Sequence, residues 1–126
     1  MILECYKILK RIEQRPAMWL GEATLVNINN YCNGYHQALI DHGIIEPSEE
    51  AFFDWVAKKL GYYESTAGWV NMILAHCMGF EPKDISWEIV FASTVSKEQH
   101  VQSVNYFYEL VEEFKKEIEN SKENCN

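Results

Sequence analysis

Apolar residues recur at spacings of three and four along most of this chain, the period of an α-helix with one buried face. Cys5, Ile8, Leu9 and Ile12 set the first such stretch. Pro16 ends it, because Arg15, the residue before proline, is pushed out of the helical region. Gly21 then closes a loop over residues 15–21. Leu25, Ile28, Cys32, Tyr35 and Leu39 predict a second helix from a Thr24 cap to about His42, with Gly43 as its stop. Its opposite face is rich in amides (Asn27, Asn30, Asn33, Gln37), and Gly34 suggests room for another backbone to approach. Ser48 is expected to cap a third helix, with Glu49 and Glu50 in its first turn and Phe52, Phe53, Val56 and Leu60 as its buried stripe. Gly61 ends it. Ser65 or Thr66 opens a fourth, which turns Trp69, Val70, Ile73, Leu74 and Cys77 inward and stops at Gly79.

Pro82-Lys83-Asp84 leads into residues 85–91, whose Ile, Trp, Val and Phe would also suit a strand; a short helix is the preferred reading. The clearest helix is the last, from about Ser96 to Asn120. Val104, Phe107, Val111, Phe114 and Ile118 form its stripe, and Glu112 to Lys116 is a favourable i, i+4 pair. Residues 121–126 are expected to fray. The predicted fold is all-α, a single-domain bundle of five or six helices over residues 1–126.

Composition narrows the class. Hydrophobic residues make up 48% of the 126, enough to build a core and to exclude general disorder. Eleven basic against 19 acidic residues give a net charge of -8, which argues against nucleic-acid binding and against anionic membranes. The same charge suits a basic protein partner. The start, Met1-Ile2-Leu3-Glu4-Cys5, lacks the basic and continuously apolar segments of a signal peptide, so a cytoplasmic location is expected. Cys5, Cys32, Cys77 and Cys125 lie far apart and read as reduced thiols, mostly packed as small hydrophobes.

Candidate chemistry is sparse. Cys32 and His36 share a helix face and His76 adjoins Cys77, but four zinc ligands at recognisable spacing are missing, so no metal and no cofactor is expected. The six glycines are scattered singly and form no phosphate loop. No local turn marks a cysteine nucleophile with a histidine base, so the chain is read as a non-enzyme. Aromatic residues are more suggestive: Trp19, Trp55, Trp69 and Trp87, with Tyr31, Tyr35, Tyr62 and Tyr63, exceed what a small core needs. Tyr62-Tyr63-Glu64, just after the Gly61 stop, is expected on the surface.

Arg15-Pro16-Ala17-Met18-Trp19-Leu20-Gly21 is the most specific run of residues in the chain. It is similar to a motif in the ATPase region of type II topoisomerases, but the rest of that ATP site is missing here. It also resembles the R-P-x-M-[YW]-L-G loop of small bacterial immunity proteins from polymorphic or contact-dependent toxin systems. That resemblance extends to Gly34-Tyr35-His36-Gln37-Ala38-Leu39, to Phe52-Phe53-Asp54-Trp55-Val56-Ala57, to Ser65-Thr66-Ala67-Gly68-Trp69 and to an acidic, Phe-rich last helix. Two departures stand out: Ala17 replaces a glycine, weakening a positive-φ turn there, and Trp19 replaces a tyrosine. Structurally, Pro16 and Gly21 would fix a turn while Met18 and Leu20 plug the gap between helices. Functionally, Arg15 and Trp19 would instead face a partner.

The resemblance implies a non-catalytic immunity protein that binds and neutralises a cognate toxin domain of basic character. Glu46, Glu49, Glu50, Asp54, Tyr62, Tyr63 and Glu64 are the expected partner-binding face, clustered around the second and third connections. The alternative is a helical interaction or regulatory protein, homodimeric and without a toxin partner.

Overall fold

The computed structural model describes residues 1–47, 51–62 and 67–124, and these are all-α, with seven α-helices, one 3-10 turn and no strand. They group into two compact units, Met1–Ala51 and Phe52–Asn126.

In the first unit α1 spans Tyr6–Gln14, α2 Pro16–Leu20 and α3 Leu25–Asp41. Ile2, Cys5, Ile8, Leu9 and Ile12 are buried with Leu25, Ile28 and Cys32, so the apolar stripes lie where their spacing put them. Polar contacts tie the start of the chain to α3. The Cys5 thiol donates to the Cys32 carbonyl at 3.7 Å, and His36 Nε2 lies 3.1 Å from a Glu4 carboxylate oxygen. Thr24 caps α3 by accepting the Asn27 amide at 3.2 Å, and Asn27 in turn donates to the Glu22 carbonyl.

The expected loop over residues 15–21 is a seventh helix. Arg15 leaves the helical region (φ -142°, ψ 65°) and ends α1, but the same bond lets Pro16 start α2. Proline suits the first helical position, where its missing N–H has no partner to lose. Ala17 is helical, so no positive φ is needed there; the left-handed residue is Gly21, at φ 72°. Met18 is 64% exposed and plugs nothing, whereas Leu20 is half-buried. Gly34 also departs from expectation. It is exposed, and a Cβ built on it would meet nothing within 4 Å, so no backbone approaches it.

In the second unit α4 spans Phe52–Leu60, α5 Gly68–Cys77, the 3-10 turn Pro82–Asp84, α6 Trp87–Ala92 and α7 Lys97–Asn124. α5 packs on α4 and α7, with Trp69, Val70, Met72, Ile73, Leu74 and Ala75 all buried, as a helix apolar nearly all round should be. Phe52 sits among the rings of Trp55, Trp69, Phe107 and Phe114, and Trp69 stacks on Phe107 at 4.9 Å. Outside this core, Lys59 bonds Glu113 at 2.8 Å and lies over the Trp55 ring, while the Trp55 indole N–H donates to Glu117. These contacts fasten α4 to α7, and the Glu113 carboxylate raises the Lys59 pKa.

Several expectations shift in detail. Phe53 is 37% exposed rather than part of the stripe, since adjacent helical residues point about 100° apart. α4 starts at Phe52, after a non-helical Ala51, while the expected Ser48 cap with Glu49 and Glu50 lies outside the described residues. Ser65 and Thr66 lie outside them too. Residues 85–91 are mostly helical, although Ile85 and Ser86 are extended. α7 runs to Asn124, beyond the frayed end expected after Asn120. Lys115 and Glu119 form an i, i+4 pair along it.

Candidate functional site

The second unit holds a cleft of about 670 Å³ built by two short pieces of chain. Gly61, at φ 82°, turns the chain out of α4 and brings it against the Pro82 ring. Tyr62 follows and is buried, 2% exposed, with its hydroxyl donating to the Phe80 carbonyl at 2.7 Å. Trp87, the first residue of α6, meets the Tyr62 ring edge-to-face at 5.6 Å and 63°. These two rings, with Pro82 and Ile85, form an apolar lining.

The rim is charged. Glu81, Lys83 and Asp84 line the cleft and are exposed. Glu81, extended at φ -78° and ψ 135°, precedes the 3-10 turn and Asp84 ends it, so a carboxylate stands at either end of Pro82–Asp84. Burial first, and the Glu81 carboxylate second, push the Tyr62 phenol up to about 12. The phenol is therefore neutral and committed to a carbonyl: a wall of the cleft rather than an acid or a base. Beyond the cleft, Phe91 lies 6.0 Å from Trp87, and both Ile89 and Phe91 are 59% exposed.

Of the expected partner face, Glu46, Asp54 and Tyr62 fall among the described residues. Tyr62 is interior and anchors the cleft from inside, a correction to its expected surface position. Glu46 is exposed in the first unit and Asp54 is exposed in the second. Glu49, Glu50, Tyr63 and Glu64 lie outside the described residues. Glu81, Asp84 and Trp87 were missed as site residues. Their signal was a Pro-Lys-Asp turn between acids and an aromatic-rich segment, a pattern too common to single out.

The remaining chemistry is quiet. Cys5 and Cys32 are fully buried, and Cys77 is half-buried with its thiol pushed up by burial, which disfavours the reactive thiolate. His76 stacks on Tyr106 at 5.0 Å. Among the described residues no group of three or more His, Cys, Asp or Glu is placed to hold a metal. Among them, too, no helix is long and apolar enough to cross a membrane. In the Arg15–Gly21 segment, Arg15 is exposed while Trp19 packs edge-on against Tyr31 at 6.1 Å. Trp19 thus serves the first unit's packing, while Arg15 and Met18 are exposed. No family model, no curated protein and no solved structure matches this chain.

Proposed function

We propose that this chain is a non-catalytic immunity protein that binds and neutralises a toxin domain of basic character in the cytoplasm of the cell that makes both. The observation that carries the reading is the cleft formed by residues 61–62 and 81–87. It combines an aromatic lining, two rim carboxylates and the adjacent, exposed Phe91, with no thiol or imidazole among its lining groups. Rings set among polar groups are what protein interfaces use as anchors. A net charge of -8 would speed encounter with a cationic partner, and the resemblance of the Arg15–Gly21 segment supplies the immunity class.

Coexpression with the toxin encoded immediately upstream is the test. Growth should be restored and the two chains should co-purify, with sub-micromolar affinity that weakens as salt rises. Absence of rescue together with absence of a co-purified partner would overturn the reading. A homodimeric interaction protein is the second reading, favoured by the exposure of Ile89 and Phe91. Sedimentation separates the two: a dimer abolished by Phe91→Ser supports the second reading, and a monomer at all concentrations removes it.

A further inference from the structure

We infer that the cleft binds an arginine side chain from a basic, partly apolar segment of a protein partner. The inference rests on the proposed binding role and names the chemistry of its contact. Trp87 presents aromatic surface at the cleft wall, and aromatic faces attract guanidinium groups through the ring quadrupole. Glu81, just before the 3-10 turn, and Asp84, at its end, add two carboxylate acceptors to the rim. A planar guanidinium can stack on a ring and use its forked donors on carboxylates together; a lysine ammonium cannot do both as well.

Lys83 also lines the cleft, so the carboxylates outnumber the local cation by two to one and the charge preference of the rim stays negative. The neighbouring tyrosine does not compete for the guest, because its hydroxyl is already given to the Phe80 carbonyl. At about 670 Å³ the cleft has the size of small-ligand sites, which leaves room for backbone on either side of the arginine. Phe91, about one helical turn beyond Trp87 and 6.0 Å from it, extends the surface along α6 and would cover an apolar residue next to the arginine. The occupant is therefore an arginine flanked by an apolar residue, a sequence character common on cationic protein surfaces.

The probe is the capped tripeptide Gly-Arg-Leu, titrated into the full-length chain and followed by the Trp87 indole N–H resonance. Saturable shifts at Trp87 and at the amides of residues 81–85 are expected, and the matching citrulline peptide, neutral but of similar shape, should cause none. Glu81→Gln with Asp84→Asn should weaken binding about fivefold or more without lowering Tm, since both side chains are exposed. Glu98→Gln with Glu123→Gln removes the same charge from α7 and should leave binding nearly unchanged. Equal binding of the citrulline peptide, or an equal loss in the α7 control, would overturn the assignment. The cleft variants are then scored for toxin rescue. Arginine binding without rescue by the unmodified chain removes the immunity reading and keeps the cleft; rescue without arginine binding does the reverse.

Discussion

Gly34 lies mid-way along α3, exposed, outside the left-handed region and with open space where a Cβ would stand. Glycine at such a position costs helix stability without any packing return, so Gly34→Ala should stabilise the chain by about 0.5–1 kcal/mol, read as a higher Tm. Tyr62 is the opposite case, a polar side chain whose burial is balanced by one hydrogen bond. Its neutral form is the one the fold prefers, with the phenol raised from 10.0 to about 12. Its contribution to stability should be whole below about pH 10 and fall as pH climbs to about 12. Tyr62→Phe should flatten that alkaline slope and cost about 1–2 kcal/mol by leaving the Phe80 carbonyl without its donor, measurable by urea denaturation at neutral and high pH. Tyr62 also shows where residue-level reading fails. A tyrosine just after a helix-ending glycine looks like surface in sequence, and only the return of the chain at Phe80 and Pro82 covers it.

At the scale of elements, helix ends were the most legible features because their chemistry is local. Gly43 and Gly79 both stop helices at positive φ, and in each case the next residue's N–H reaches back to a carbonyl of the last turn. Ile44 bonds Leu39 at 2.9 Å and Phe80 bonds Ala75 at 3.0 Å. Ser96 was expected at the start of α7 and proves to be half of a reciprocal pair. Its hydroxyl accepts the Gln99 amide at 3.1 Å, and the Gln99 side chain accepts the Ser96 amide at 2.9 Å. Ser96→Ala should cost about 1 kcal/mol in thermal or chemical unfolding, and Ser96→Asp should retain most of it. Pro16 was misread for an equally local reason. Proline both forbids helix at the residue before it and favours helix after it, and only the first effect entered the expectation.

Across the whole molecule, the all-α class followed from periodicity, but the site did not. Burial stripes repeat every few residues and are visible in one dimension. A cleft assembled from Gly61, Tyr62, Glu81 and Trp87 depends on two connections folding back beside each other. Net charge was equally uninformative about place. Met1–Ala51 carries seven acids and four bases, and Phe52–Asn126 twelve and seven, so acidity is shared rather than gathered in one unit. What singles out a region is the local company of the carboxylates: two beside an accessible indole at the cleft. The placement of tryptophans has a practical corollary. Trp19 alone falls in Met1–Ala51, whereas Trp55, Trp69 and Trp87 fall in Phe52–Asn126. A Trp19→Phe chain would therefore emit solely from its C-terminal half, and a Trp55, Trp69 and Trp87 triple phenylalanine variant solely from the other. Should each variant's tryptophan emission melt together with its own far-UV ellipticity, the two halves unfold as one cooperative system; should the two signals of one variant separate, each half carries its own transition.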